Sequence, residues 1–459
     1  MSPSDENLEL LRRWYRRLDP QRALDLTREG GDDSELYVAL DAWEFETKVH
    51  SLRGPAAVSS ILRNIRISAH DFEAKSTHLF AGFRGTGKTT ELSRLTRDLR
   101  ATGGFSVLQV SARDYHHLSD SLSIEELAVL LVAGIGEAAL EVLGEDQLPG
   151  LAKVGVWSRI TELLGGIFKD SGLSLRFGPV ELKPALRQGE GLKVDLRAAL
   201  RDRPHRLQEF LHGFVAEIAG AIAPRRLVVL VDDLEKYDVP GDRVVDVYQE
   251  MADLFFHSAE ILKLPNCHVI YTVPPYLAFA NRAIANAYDG RLHILPSIRV
   301  RARPPEHSPF EPGLAAMHAL IAERIDLDRL FGGERDVCVR RLVLGSGGNL
   351  RDLFNMLRDV VELALDADLP VGTDEVDMTI ERHAAHRTLM LVQDEFELLV
   401  DVSAHGDLSK IRHDRRGAFA QAMDQQLLLA YWNGSIWYDT HPLVEPELRR
   451  YLAASGEES

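Results

Sequence analysis

The spacing of apolar residues changes along this chain, and each change marks an element. Leu8, Leu11, Trp14, Tyr15 and Leu18 recur at helical spacing over residues 5–18, and a polar Gly-Gly-Asp-Asp turn follows at 30–33. Residues 56–67 predict a second helix, Ser76–Ala81 a first strand and Phe105–Ser111 a second, with a glycine-rich loop and a helix from about Lys88 to Arg100 between the strands. Strand, loop, helix and strand in that order predict a three-layer α/β domain on a parallel sheet. Residues 123–143 are helical in pattern. Leu173–Leu182 alternate around a Phe-Gly-Pro turn and predict a β-hairpin within an insertion at about 150–203. A helix over 203–222 feeds Leu227–Val231, an apolar run short enough for a fully buried strand. His268–Val273 and Leu292–Val300 complete a parallel five-stranded sheet.

Beyond a Pro-rich stretch at 302–312 the period becomes helical, over 312–325, 334–344, 349–367 and 373–386. Residues 388–448 hold short helices and then Leu427–Asp439, where Asn433-Gly434 between aromatic, β-favouring runs signals a hairpin. Short helices followed by a hairpin predict a winged helix, with Tyr431, Trp432, Trp437 and Tyr438 as its core and cross-strand pairs. The expected organisation is an N-terminal helical segment (1–44), an α/β core (45–303), an α-helical lid (304–387), and a winged-helix domain with tail (388–459).

Composition narrows this picture in two ways. With 70 acidic against 53 basic residues the formal net charge is −17, so nucleic acid could be held by a local basic patch and not by the overall field. Cys267 and Cys338 lie far apart in apolar contexts and support neither a disulfide framework nor a zinc site. No apolar run reaches the roughly 18 residues of a membrane span, and the acidic start Met1-Ser-Pro-Ser-Asp-Glu does not read as a signal peptide. The expectation is a cytoplasmic protein with no membrane partner.

The chemistry concentrates in Gly82–Thr89, Gly-Phe-Arg-Gly-Thr-Gly-Lys-Thr. Glycines at 82, 85 and 87 let backbone amides curl around a phosphate, and the following helix points its positive end at the anion. Lys88 is expected to neutralise β- and γ-phosphates and Thr89 to offer a hydroxyl to Mg²⁺, with Arg84, Thr86 and Thr90 completing the nucleotide-binding set. The acidic partner is expected where Leu227–Val231 ends: Asp232 for Mg²⁺ through water, then Asp233 to orient or activate the attacking water, with Glu235 in reserve. No Asn-Lys-x-Asp element occurs, which argues for ATP over GTP. Leu344-Gly-Ser-Gly-Gly-Asn349 follows the acidic motif instead of preceding it, which argues against an ABC transporter.

Together these motifs resemble the AAA+ and STAND ATPases, especially the branch with the Orc/Cdc6 initiators and archaeal-type ATPases, over about residues 45–445. The resemblance implies a "sensor 1" role for Thr272 and a "sensor 2" role for Arg351 in Gly347-Gly-Asn-Leu-Arg-Asp352, both at the γ-phosphate. It places Leu52-Arg53-Gly54 near the adenine and offers Arg282 and Arg291 as candidates for an arginine finger. Asp233 stands where AAA+ members have glutamate, a more STAND-like feature that implies slow or partner-dependent hydrolysis. The implied function is a nucleotide-driven switch or oligomerising ATPase acting on a separately encoded protein partner, in defence or signalling. The second reading is a DNA-directed initiator, loader or transposition regulator, with Lys410, Arg412, Arg415 and Arg416 by the winged helix's recognition helix. Against it, residues 390–459 carry 12 acidic and 6 basic residues.

Overall fold

The computed structural model describes residues 5–28, 30–41, 52–53, 57–68, 74–116, 122–170, 175, 177–188, 190–200, 203–235, 243–277, 283–366, 369–389, 391–407 and 415–457. The chain divides into two compact units: residues 1–57, 82–94 and 295–459 form one, residues 58–81 and 95–294 the other. Among the described residues no helix is long and apolar enough to cross a membrane.

The second unit is an α/β fold on a five-stranded sheet of order β2-β3-β4-β1-β5. Its strands are β1 (Ser76–Gly82), β2 (Phe105–Ser111), β3 (Arg226–Asp232), β4 (Cys267–Val273) and β5 (Leu292–Leu295). The β1–β4, β2–β3 and β3–β4 pairs are parallel. β1 and β4 are buried at every position, so that Ser76, Thr77, His78, His268 and Thr272 lie inside along with their apolar neighbours. From β1 the chain passes to β2 at the far edge, whereas from β4 it crosses β1 to reach β5. Neighbouring strands whose outgoing connections run in opposite directions open a crevice at their carboxyl ends, where open α/β sheets take ligands. The helix Ile124–Leu143 starts from a Ser123/Glu126 capping box. A Cβ on its Gly134 would lie 2.3 Å from Val110, so bare backbone meets β2 there.

The insertion is helical: Pro149–Val154, Val156–Asp170, Pro179–Gln188 and Glu190–Leu200. The hairpin expected over Leu173–Leu182 is corrected by its described part, where Pro179 opens a helix. Leu182 and Leu186, four residues apart, are both buried, so the helical period prevails over the alternating one. Residues 171–174 and 176 lie outside the described set.

In the first unit the helix Asp5–Arg17 packs on the helix Leu350–Asp366. Leu11, Trp14 and Leu18 join a core with Met317, Phe331, Leu342, Leu353 and Leu357. β5 was expected to run to Val300 but stops at Leu295. Pro296 donates no ladder bond, and the next three amides take single acceptors: Ser297 on Ala430 O, Ile298 on Gly348 O and Arg299 on Leu52 O. The C-terminal hairpin forms as expected, with β6 (Leu428–Trp432) antiparallel to β7 (Ile436–Thr440). Gly434 in its three-residue connection has φ +77°. Tyr431 faces Trp437 across the ladder at 4.6 Å between ring centroids, and Tyr438 meets Phe419 edge-on.

Candidate functional site

The glycine-rich loop leaves the carboxyl end of β1 and enters the helix Lys88–Arg100. Phe83–Thr86 is a turn closed by Thr86 N–H on Phe83 O (3.3 Å), with Gly85 at its third position at φ +81°, a conformation that favours glycine. Gly87 has φ +84°. A Cβ on Gly82 would lie 2.8 Å from Lys88 Cγ, so the lysine stem folds back across bare backbone.

Every carbonyl from Gly82 to Gly87 accepts from a protein group. Lys88 Nζ donates to Gly82 O (2.9 Å) and Thr86 Oγ1 to Phe83 O (2.9 Å). Arg84 O receives Asn349 Nδ2 (2.9 Å) and Gln426 Nε2 (2.7 Å). Gly85 O receives Leu350 N–H (3.1 Å), Thr86 O receives the Arg53 guanidinium, and Gly87 O receives Glu91 N–H (3.0 Å). A trans peptide aims each following N–H opposite to its carbonyl. One of these amides, Thr86 N–H, is used within the turn, on Phe83 O.

Three further parts of the same unit hold the loop. Asn349 caps the helix Leu350–Asp366 through Arg351 N–H (3.0 Å) and Asp352 N–H (3.3 Å) while clamping Arg84 O. Buried Asp352 then accepts from Arg387 (2.6 Å) and His441 Nε2 (3.0 Å). Burial works to raise the Asp352 pKa, but His441 and Arg387 outweigh it and lower it. Arg387 also donates to Gln426 O (2.8 Å), and Asp424 pairs with Arg84 at 3.4 Å. A cavity of about 660 Å³ opens beside this clamp, lined by Arg351, Asn355, His386 and Gln426 among others. On the other side, buried Arg53 lies 3.7 Å from Glu91, which Arg94 and Tyr37 also contact. Thr90, expected with the phosphate set, accepts the Leu24 amide (3.1 Å), and Ser93 accepts that of Leu26 (2.8 Å). That face of the helix serves the N-terminal segment.

In the sheet unit the acidic residues gather at the carboxyl edge. Asp232 ends β3 opposite Ser111 of β2, one step beyond the Val231–Tyr271 pair of β3 and β4. Asp233 has φ +69°, a left-handed conformation that aspartate tolerates, with its N–H on Asp232 Oδ1 (2.8 Å). Its carboxylate accepts from Ser111 Oγ (2.9 Å) and lies 4.0 Å from Arg113 Nε. Glu235 is half-buried just beyond. Thr272 on β4 is fully buried, and its Oγ1 meets no hydrogen-bond partner among the described residues.

The residues singled out from the sequence thus fall into two groups. Gly82, Arg84, Gly85, Thr86, Gly87, Lys88 and Thr89 share one turn and helix start, with Arg351 Cβ 2.7 Å from where a Gly85 Cβ would stand. Asp232, Asp233, Glu235 and Thr272 share the sheet's carboxyl edge. Arg291 pairs with Asp289 at 3.5 Å; Gly54, Arg282, Lys410 and Arg412 lie outside the described residues. The sequence reading missed Asn349 as a clamp, Gln426, Asp424, and the Ser111 and Arg113 contacts to Asp233. Asn349 ahead of a helical run is a cap signal, but its second bond joins positions 265 residues apart.

No family model matches the chain, and no curated protein matches it. Solved structures of similar course include Drosophila ORC bound to DNA, with a TM-score of 0.41 and 12% identity over 98% of this chain and 93% of that one. Cdc6p from Pyrobaculum aerophilum gives 0.37 and 9% over 96% and 98%. The Aeropyrum pernix ORC2 protein gives 0.37 and 11% over 86% and 94%.

Proposed function

We propose that the chain binds ATP with Mg²⁺ at Gly82–Thr89 and hydrolyses it, working as an AAA+/STAND-type, nucleotide-driven switch on a protein partner. The observation that carries this reading is the run of six carbonyls, Gly82 to Gly87, each held by the protein. That arrangement suits a loop whose amides serve a polyphosphate. Lys88 neutralises phosphate charge, and Thr89 with Asp232 serves the metal ion and its water. Asp233 orients the attacking water, with Glu235 in reserve. Burying a hydroxyl without a partner is costly, so the Thr272 hydroxyl suits a γ-phosphate or water contact, and Arg351 reports from the lid. Bound Mg²⁺ would supply charge neutralisation between phosphates. Isothermal titration with ATP–Mg²⁺ tests the reading: the wild type should bind and Lys88→Ala should not, and equal binding by both would refute it.

The partner assignment is supported by the C-terminal segment's contacts within the chain. Asp424 and Gln426 reach Arg84 of the loop, while Arg415 is engaged by Glu397 and Asp401. A helix engaged in this way suits an intramolecular arm that reads the loop better than a DNA-reading element. The protein is assigned to the cytoplasm, with a separately encoded partner and nucleotide-dependent self-association. Sizing with a non-hydrolysable ATP analogue should show a larger species. DNA binding that weakens steeply with salt would favour the initiator-like reading instead.

A further inference from the structure

We propose that Lys183, in the insertion, is a positioning residue for Asp233 and acts through Glu137 and Tyr115. The proposal rests on the role given to Asp233 above. Glu137, on the helix Ile124–Leu143, accepts from Tyr115 Oη (2.5 Å), Trp157 Nε1 (2.7 Å) and Lys183 Nζ (2.8 Å). The ammonium also lies 4.8 Å from the Tyr115 ring centroid and 6.0 Å from that of Trp157, a box of two aromatic faces and a carboxylate that suits a cation. Burial works to raise the Glu137 pKa, and the three donors outweigh it and hold the group ionised. Lys183 supplies the box's positive charge.

Tyr115 is where the box meets the sheet edge. Its side chain is buried, and its N–H closes on Ala112 O (3.1 Å), ending the tight turn Ala112–Asp114. That turn carries Arg113 and follows Ser111, and both side chains contact the Asp233 carboxylate. Without the Lys183 ammonium, Glu137 is a half-buried carboxylate that loses its ion-pair partner among the described residues, its hold on the Tyr115 hydroxyl weakens, and the turn loosens. The insertion is thereby an input to hydrolysis: a protein docking on it and shifting the helix Pro179–Gln188 changes Asp233 without touching nucleotide.

Lys183→Met keeps the aliphatic stem and removes the charge. Hydrogen exchange on the full-length protein without nucleotide should show faster exchange of the Tyr115 and His116 amides than in the wild type, with Lys183→Arg restoring protection. In ATP turnover, Lys183→Met should lower kcat by about threefold or more, in the range of coupling through packed networks, with nucleotide Kd within about twofold. Tyr115→Phe should do the same, and in an Asp233→Asn background Lys183→Met should change kcat no further. Wild-type exchange at residues 115–116 in Lys183→Met overturns the proposal whether or not the protein hydrolyses ATP. A lowered melting temperature with unchanged kcat overturns it too. Failure of the wild type to bind ATP refutes the nucleotide reading and leaves the exchange result to decide this one.

Discussion

Gly85 shows how one position can answer to several constraints. Its φ of +81° would strain any side chain, and a Cβ there would stand 2.2 Å from Asn349 Oδ1 and 2.7 Å from Arg351 Cβ. Gly434 has a similar φ of +77° but open space around it. Gly434→Ala should therefore cost the backbone term alone, about 1 kcal/mol. Gly85→Ala adds displacement of the Asn349 cap, itself worth about 1 kcal/mol, so urea unfolding should report roughly 2–3 kcal/mol for it. ATP affinity should fall with Gly85→Ala and stay at the wild-type level with Gly434→Ala. Asp233→Asn should lower kcat by at least about tenfold with little change in ATP affinity, because it removes a water-orienting charge and no phosphate ligand. Equal turnover by this variant in a phosphate-release assay would move the role to Glu235.

Elements were legible in the sequence where one physical term dominated. β1, β3 and β4 are buried along nearly their whole length and carry the apolar runs Leu79–Ala81, Leu227–Val231 and Val269–Tyr271 because both sides are covered. The helix after the glycine-rich loop, Lys88–Arg100, begins and ends where its periodicity and the last loop glycine place it. Misreadings came where two terms competed. Leu173–Leu182 satisfied an alternating pattern, but burial of Leu182 and Leu186 selected a helix. Residues 296–300 kept the β-branched character of a strand, yet each amide from Ser297 to Arg299 found a different acceptor. The turn and helix start of the glycine-rich loop were legible because their spacing is local, whereas the Asn349, Gln426 and Arg53 contacts to its carbonyls depend on distant segments meeting. Asn349→Ala tests the most informative of these. It removes a helix cap and one of the described donors to Arg84 O, leaving that of Gln426, so stability should fall by about 1–2 kcal/mol. Asn349→Asp keeps the cap and loses the amide donor, so ATP affinity should fall in both variants while stability recovers in the second. If Asn349→Asp binds ATP as the wild type does, Asn349 caps the helix without shaping the loop.

Over the whole molecule the two units differ in how they should respond to acid. In the sheet unit His78, His268 and His293 form a hydrogen-bonded series with Ser68 and Ser76 across β4, β1 and β5. Burial holds all three well below the ordinary histidine value, His78 at about 2 and His268 and His293 at about 4. A histidine whose folded pKa is depressed contributes stability that is complete above its unfolded pKa near 6.5. That stability is lost as pH falls from there toward the folded value, because the unfolded chain binds the proton first. At pH 5 this amounts to about 2 kcal/mol for each of His78 and His268. The other unit has His441 at about 4, again through burial, but it also has Asp439, which burial raises to about 6. A raised carboxyl has the opposite sign: its stabilisation is present below the unfolded pKa near 4 and is lost as pH rises through 6, so it offsets His441 in acid. Burial raises Glu126 in the sheet unit as well, but among the described residues one such carboxyl stands there against three depressed histidines, so the sheet unit should be the first to open between pH 6.5 and 5. Hydrogen exchange across that range, corrected for intrinsic rates, should show protection falling in β1, β3 and β4 before the helix Leu350–Asp366. His268→Asn removes one titrating group and should flatten the decline; a decline that is uniform across both units would show that buried histidines do not set the acid limit.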